Sequence, residues 1–192
     1  MSNGDFETGD LTGWSTEKRK DGEWLVYEDG TIPPKPLVTD LQYPFKVPDP
    51  PQGRYAAVTD MDNAGVRFLY RDIEVNGPYL LHATVFYVNS GGVFRDPSHF
   101  QVVNDQNQIV QNQQYRIDLL DPAAPVDSLE PDDILATVFR TKPGDSLSLE
   151  PTALTFDLSP WEGQTIRLRA AQVDSVAPIR AGIDDVRLEE RG

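Results

Sequence analysis

The amino-acid sequence predicts an all-β fold, a two-sheet antiparallel β-sandwich, on two observations. Apolar and polar residues alternate along several short segments, whereas patterns with the helical period of about 3.6 residues are scarce. Proline and glycine separate these segments, as they commonly do between strands. Because a strand with one apolar face has to cover that face, many such strands in one chain indicate two sheets packed face to face.

The clearest strand pattern lies at residues 154–158, where Leu154, Phe156 and Leu158 alternate with Thr155 and Asp157. The segment 134–139 fits either a helix or a strand, and the sequence does not decide between them. The charged run at 17–21 mixes both signs, which is typical of a solvated loop. Further candidate strands, which bring the number to about ten, are 24–27, 55–59, 68–75, 79–88, 100–103, 115–119, 166–170 and 183–188.

The whole chain, residues 1–192, is predicted to form one domain. Residues 33–51 contain seven prolines, which excludes a central strand there because proline cannot donate a hydrogen bond to a sheet. We interpret this segment as a long excursion within the sandwich, since strands on both sides of it are needed to complete two sheets. A second proline-rich loop is predicted at 121–131.

Composition and charge exclude several classes of partner. The chain has 31 acidic and 17 basic residues and a net charge of −14, so nucleic acid is not an expected partner. The longest apolar stretch, 79–88, is about half as long as a membrane-spanning helix, so we expect no membrane insertion. There is no cysteine, which removes disulfides and thiolate chemistry. We also expect no signal peptide within this chain.

The two ends of the chain carry the strongest local signals. The opening is predicted to form a short strand that places Phe6 in the core and Glu7 outside, before a glycine-rich turn delivers Trp14 inward. At the other end, the adjacent Asp184 and Asp185 must point to opposite sides of a strand. One of these carboxylates can then turn inward, where a buried charge needs a partner.

Three segments resemble one known superfamily. They are Asn-Gly-Asp-Phe-Glu-Thr-Gly at 3–9, Gly-Arg-Tyr-Ala-Ala-Val at 53–58 and Ile-Asp-Asp-Val-Arg-Leu at 183–188. Together they resemble the galactose-binding-like β-jelly-roll superfamily, which includes several families of carbohydrate-binding modules found in secreted bacterial proteins. The resemblance covers the chain from end to end, and it implies that the sandwich has jelly-roll topology.

The resemblance also implies a structural calcium ion, Ca²⁺, that ties the first segment of the domain to the last. Carried over to this sequence, its ligands fall on Glu7, on Asp184 and on the backbone of 51–54, which includes Arg54. Carboxylate and carbonyl oxygens are the ligands that calcium prefers. The alternative is that Glu7 and Asp184 are solvated carboxylates at strand ends, or that they pair with Arg54.

Exposed aromatic rings are the other candidate site, because sugar rings stack on them. We expect Tyr43, Phe45 and Phe94 to be the aromatic residues available for a ligand, and the three tryptophans to belong to the core. Packing of the 33–51 excursion over the sandwich is the alternative role of Tyr43 and Phe45.

No catalytic constellation stands out in the sequence. Neither a Gly-x-Ser-x-Gly motif nor a phosphate-binding loop occurs, and His82 and His99 are expected to be an ordinary strand residue and a surface loop residue. The resemblance therefore implies a non-catalytic binding module, secreted or at the cell surface, for carbohydrate or another extracellular ligand. The alternative is a structural or adhesive accessory domain whose partners are neighbouring domains of a larger exported protein.

Overall fold

The computed structural model describes residues 1–28, 48–60, 63–95 and 98–192. Within them the chain is all-β, as predicted, and its one short helical element is a 3-10 turn at Ser159–Trp161. None of the helical structure in these ranges is long and apolar enough to cross a bilayer. The ten strands are β1 (Ser15–Lys20), β2 (Glu23–Glu28), β3 (Tyr55–Asp60), β4 (Gly65–Glu74), β5 (Tyr79–Asn89), β6 (Gln113–Leu120), β7 (Ile134–Arg140), β8 (Ser148–Asp157), β9 (Thr165–Asp174) and β10 (Ile179–Glu190).

The strands form two antiparallel five-stranded sheets. The first sheet has the order β1-β4-β9-β6-β7 and the second has the order β2-β3-β10-β5-β8. Sequence neighbours such as β1 and β2 lie in different sheets, so the chain passes repeatedly from one sheet to the other. The result is a β-sandwich with jelly-roll topology, which confirms the predicted fold class.

The main core lies between the sheets and is built from the apolar faces of alternating strands. In β6, for example, Tyr115, Ile117 and Leu119 point inward and are almost completely buried. The hydroxyl group of Tyr115 donates a hydrogen bond to the Gly182 carbonyl of β10 at 3.0 Å, which joins the two sheets through the core. Trp24 of β2 belongs to the same core, as the sequence predicted.

A second apolar cluster covers the outer face of the first sheet. Residues of β4 and β9, including Phe68 and Val173, lie under the loop segments that carry Phe100, Val102 and Val126. The Phe68 and Phe100 rings meet edge to face, with their centroids 5.2 Å apart. This outer face is therefore not a bare solvated surface, because two loops pack on it.

Three sequence predictions about strands are wrong. The 17–21 run is not a loop, since 15–20 forms the edge strand β1 beside β4. The 100–103 segment is not a strand, and Val103 makes only an isolated bridge to Ile109. The opening at 3–9 is not a strand either, because Phe6 has a φ of 55° and the chain winds through turns there. The undecided segment 134–139 is a strand and belongs to β7.

Candidate functional site

The opening turns of the chain dock against the last strand. The Val186 amide donates a hydrogen bond to the Gly4 carbonyl at 2.8 Å. Phe6 is fully buried and stacks on Trp14 with ring centroids 5.5 Å apart, as their predicted core placement requires. The Trp14 indole N–H donates a hydrogen bond to the Asn3 carbonyl at 2.9 Å, so Trp14 as well as Val186 holds the opening turns in place. The opening turns therefore pack against the last strand, β10.

Glu7 and Asp184 approach the same short segment before β3 from two sides. Glu7 Oε1 accepts hydrogen bonds from the backbone amides of Arg54 at 2.7 Å and Tyr55 at 2.9 Å. Asp184 Oδ2 accepts one from the backbone amide of Gln52 at 2.8 Å. The structure thus brings together Glu7, Asp184 and the backbone around Arg54, three residues that are 47 to 177 positions apart in pairs.

Asp184 is a buried carboxylate among negative neighbours. Its side chain is fully buried, and burial raises the pKa of the Asp184 carboxyl to about 7, with the charges of Asp185 and Glu7 raising it further against two backbone hydrogen bonds. The nearby cations are engaged elsewhere. Arg54 pairs with Glu28, and Arg187 pairs with Asp185. Asp184 therefore forms no ion pair with any described arginine or lysine.

The chemistry of these donors fits a hard cation such as calcium. Glu7 Oε1 accepts two backbone amides, but Glu7 Oε2 accepts none of the hydrogen bonds of the described residues, and each Asp184 oxygen accepts one amide and keeps a further lone pair for a metal ion. The described residues contain no group of three or more histidine, cysteine, aspartate or glutamate side chains suited to a metal. A cation here would therefore rely on two carboxylates and on backbone carbonyls, which calcium accepts readily and softer metals do not.

Gly53 supplies the close approach that the Glu7 carboxylate needs. Its φ is +67°, and a Cβ atom there would lie 2.4 Å from Glu7 Oε1. We expect Gly53→Ala to lower the free energy of unfolding by about 2–3 kcal/mol, because a left-handed alanine is strained and Glu7 would be displaced from its amides. The measurement is urea unfolding.

Gly163→Ala is the matched control for this substitution. Gly163 has a φ of +80°, but a Cβ atom there would meet nothing within 4 Å. This variant should lose only about 1–2 kcal/mol, which is the strain of the left-handed backbone. Equal losses in the two variants would show that the contact with Glu7 contributes nothing to stability.

The predicted aromatic ligand contacts are not found among the described residues. Phe94 is 1% exposed and packs edge to face on Tyr87 with centroids 5.2 Å apart, so the prediction that it is an exposed contact is wrong. Its position beside two glycines suggested a surface loop, but the ring turns into the core. Tyr43 and Phe45 lie outside the described residues. In the described ranges, every tyrosine, tryptophan and phenylalanine is buried or half-buried.

A groove lined by both polar and apolar side chains lies on the loop-covered outer face of the first sheet. The groove runs between the loops 98–103 and 127–131 and comprises two adjoining depressions of about 450 and 540 Å³, which share Ser98 and Leu129. One end opens at β1, beside Arg19 and Lys20. The other end opens over β6 and β7, beside Arg116, Thr137 and Arg140.

A buried ionic cluster lies under the β6–β7 end of the groove. Asp118 Oδ2 accepts hydrogen bonds from Arg116 Nε at 2.7 Å and Arg169 Nη2 at 2.6 Å. Its Oδ1 accepts from Arg116 Nη2 at 2.8 Å and from the Thr137 hydroxyl at 3.0 Å. Arg169 Nη1 also donates to the carbonyls of Val126 and Ser128, both at 2.7 Å. The cluster thus fixes one wall of the groove to the sheet.

The two histidines occupy ordinary positions. His82 lies in β5, and its ring contacts the neighbouring strands through Thr155 at 3.1 Å and Glu189 at 3.1 Å. His99 is half-buried in a loop and lines the β1 end of the groove. Among the described residues, neither histidine forms a hydrogen bond with a serine side chain. The geometry therefore gives no support to a serine-based catalytic site.

Comparison with solved structures finds the same fold in binding and adhesin modules. TmCBM61, solved in complex with β-1,4-galactotriose, has a TM-score of 0.56 and 15% identity, with 100% of this chain and 97% of that chain covered. The K1 cleaved adhesin domain of Lys-gingipain from Porphyromonas gingivalis W83 has a TM-score of 0.53 and 10% identity, with 98% and 96% covered. The chain has the fold of a carbohydrate-binding module.

These likenesses span nearly the full length of both proteins, so the resemblance predicted from the chain ends is confirmed for the fold as a whole. The K3 cleaved adhesin domain of the same gingipain gives a TM-score of 0.53 and 11% identity over 96% of this chain. No protein-family profile matches the sequence, and no curated protein matches it either. At these identities the comparisons show the fold alone.

Proposed function

We propose that this protein is a non-catalytic, calcium-stabilised module that binds carbohydrate in the groove between the loops 98–103 and 127–131. The observation that supports this most directly is the groove itself, which is open, lined by both polar and apolar side chains, and built on the first sheet. Its volume lies in the range that small-ligand sites occupy. The binding and adhesin modules that share the fold support the same conclusion.

The side chains of the groove suit hydroxyl-rich ligands. His99 and Gln101 line the β1 end, and Thr137 and Arg116 line the β6–β7 end. These groups donate and accept hydrogen bonds, which give specificity for sugar hydroxyls when water is displaced. A cleft with hydrogen-bonding groups at both ends, rather than an exposed aromatic platform, is what the described residues offer a glycan.

Calcium belongs to the proposal as a structural ion at the junction of the chain ends. Glu7, Asp184 and backbone carbonyls of 51–54 would hold it, and its positive charge would neutralise the buried Asp184 carboxylate. The ion would support the docking of the opening turns on β10 and β3 in the second sheet, whereas the groove lies on the outer face of the first sheet. We further propose that the module acts outside the cell as part of a larger exported protein.

Affinity gel electrophoresis against a panel of soluble galactans, xylans, β-glucans and acidic polysaccharides tests the carbohydrate proposal. We expect at least one polysaccharide to retard the protein, and His99→Ala or Gln101→Ala to weaken that binding about tenfold through the loss of a hydrogen-bonding group. Glu150→Ala, on the exposed surface of β8 in the second sheet, is the control and should not change it. A panel without retardation would contradict the proposal and favour a structural or adhesive accessory domain.

A further inference from the structure

We propose that Asn76 is a site of spontaneous deamidation, and that the folded chain reacts there much faster than at Asn3, the other asparagine that a glycine follows. This inference goes beyond the proposed function and does not depend on it, because none of residues 75–78 lines the groove. The reaction needs no enzyme and no co-reactant besides water. Exposure and hydrogen bonding distinguish the two asparagines.

Deamidation of an asparagine before a glycine is a reaction of the chain with itself. The backbone nitrogen of Gly77 attacks Cγ of Asn76, so that an N–Cγ bond forms, the Cγ–Nδ2 bond breaks, and Nδ2 leaves as ammonia with the proton of the Gly77 amide. Water then opens the cyclic imide at one of its carbonyls, which leaves aspartate or isoaspartate at position 76. Glycine favours the first step, because it has no Cβ atom to obstruct the approach of its nitrogen.

Asn76 has the freedom that this attack requires. The residue lies in the connection between β4 and β5, is exposed, and its side chain takes part in none of the hydrogen bonds of the described residues. The Gly77 amide likewise donates no hydrogen bond among them, although the Gly77 carbonyl accepts one from the Tyr79 amide at 2.9 Å. The attacking nitrogen and the amide group that it attacks are therefore both uncommitted.

The ring of Tyr79 slows the reaction without preventing it. Gly77 is buried, and a Cβ atom there would lie 3.7 Å from the Tyr79 ring, so the ring lies over the glycine. Tyr79 itself is only half-buried. Local opening of such a surface connection needs much less free energy than global unfolding. We therefore expect Asn76 to react more slowly in the folded chain than in the unfolded chain, but still measurably.

Asn3 is held by hydrogen bonds at both ends of its side-chain amide. Its Oδ1 accepts a hydrogen bond from the backbone amide of Thr8 at 3.2 Å. Its Nδ2 donates to the carbonyls of Asp10 at 3.1 Å and Thr12 at 2.8 Å. The group that would have to rotate and leave as ammonia is thus bonded to three backbone groups, whereas the amide of Asn76 is bonded to none among the described residues.

The glycine after Asn3 is confined as well. The Gly4 carbonyl accepts a hydrogen bond from the Val186 amide at 2.8 Å, and a Cβ atom at Gly4 would lie 1.8 Å from the Val186 carbonyl oxygen. The backbone of Gly4 therefore lies directly against β10. Since a typical hydrogen bond stabilises by an amount that corresponds to about fivefold in an equilibrium, the loss of several should slow deamidation of Asn3 by at least about tenfold relative to Asn76.

Conversion of Asn76 would alter a connection that is anchored on both sides. Before it, Val75 forms two backbone hydrogen bonds with the turn at 163–164, at 2.9 and 2.7 Å. After it, the Pro78 carbonyl accepts a hydrogen bond from the Arg191 amide at 2.7 Å. Isoaspartate adds a methylene group to the main chain between these anchors, whereas aspartate adds only a negative charge at neutral pH. The isoaspartate form should therefore be the less stable product.

The test incubates the purified chain at pH 8 and follows both asparagines by mass spectrometry of proteolytic peptides, which separates amide from acid and aspartate from isoaspartate. We expect Asn76 to convert at least about tenfold faster than Asn3 in the folded chain, and both to convert at similar rates in urea, where the hydrogen bonds of Asn3 are lost. Asn76→Gln should abolish conversion at this position, because the longer side chain forms the cyclic imide far less readily. Asn107→Gln, at an exposed asparagine that glutamine follows, is the matched control and should leave conversion of Asn76 unchanged.

The comparison of the two sites decides the outcome. Equal rates of Asn76 and Asn3 in the folded chain would overturn the proposal, and so would an Asn76 that stays intact while the chain in urea is converted. Thermal unfolding of the incubated chain is the second measurement. A fall in the melting temperature that occurs in wild type but not in Asn76→Gln supports isoaspartate at this connection, whereas an equal fall in both would place the damage elsewhere.

Discussion

Asp174→Ala is expected to lower the free energy of unfolding by about 3–5 kcal/mol, which is the typical effect of breaking a buried ion pair. Asp174 Oδ1 accepts a hydrogen bond from Arg67 Nη1 at 2.7 Å, and both side chains are fully buried. Its Oδ2 accepts hydrogen bonds from the side-chain amide of Gln172 and from the backbone amide of Ile179, each at 2.9 Å. Removing the carboxylate would leave the Arg67 charge in the core without its partner.

Chemical denaturation by urea, followed by tryptophan fluorescence, measures this loss. The double variant Arg67→Met/Asp174→Leu should recover much of the stability, because an apolar pair of similar size removes the uncompensated charge. Arg191→Met, which breaks the exposed pair between Arg191 and Asp157, should change the midpoint little. If the double variant is as unstable as Asp174→Ala, the loss arises from packing or from the Ile179 amide and not from the stranded arginine.

The sequence was sufficient for the fold class because β6 and β9 of the first sheet and the end of β8 in the second sheet alternate apolar and polar residues. It was insufficient for β1, whose six residues, Ser15–Lys20, include no apolar side chain. This edge strand exists because its backbone pairs with β4, from Ser15 opposite Tyr70 to Lys20 opposite Gly65. A tertiary pairing of this kind leaves no hydrophobic period in the edge strand that it holds.

The two candidate sites differ in how far sequence reasoning could reach them. The convergence of Glu7, Asp184 and the Arg54 backbone followed from resemblance of short motifs, and the geometry brings those residues together. The groove was not foreseen, because it depends on how two irregular loops pack on the outer face. Arg116 and Arg169 occupy polar positions in the alternating segments 115–119 and 166–170, but alternation cannot reveal that Phe100 and Val126 cover that face.

Protonation of Asp184 is expected to make the stability of the calcium-free protein fall as the pH rises. The ordinary pKa of an aspartate is about 3.9, and burial raises the pKa of Asp184 to about 7 in the folded chain. Between these two pH values the folded state therefore keeps a proton on Asp184 that the unfolded state has lost. Between pH 5 and pH 8 this residue should reduce the free energy of unfolding by about 3 kcal/mol.

Urea unfolding of chelator-treated protein at several pH values checks this dependence. Asp184→Asn should remove the fall between pH 5 and pH 8, whereas Asp132→Asn, at an exposed position in the loop before β7, should keep it. The decisive measurement is the slope of the free energy of unfolding against pH, not its absolute value. Asp184→Asn changes the absolute value as well, because an amide cannot accept both backbone hydrogen bonds of Asp184 as a carboxylate does. Identical slopes in wild type and Asp184→Asn would contradict the buried-carboxylate argument.

Bound calcium should make the stability of the folded protein rise with pH instead of fall, because a bound cation favours the ionised Asp184 carboxylate that burial disfavours. Saturating calcium is expected to raise the melting temperature most above pH 7, where no proton has to be displaced. Its affinity should fall by up to about tenfold for each pH unit below 7, since each bound ion then releases the Asp184 proton. Calorimetric titration at pH 5.5 and 7.5 measures both quantities. A calcium response that is the same at the two pH values, or that survives in Asp184→Asn, would place the ion elsewhere and remove Glu7 and Asp184 as its ligands.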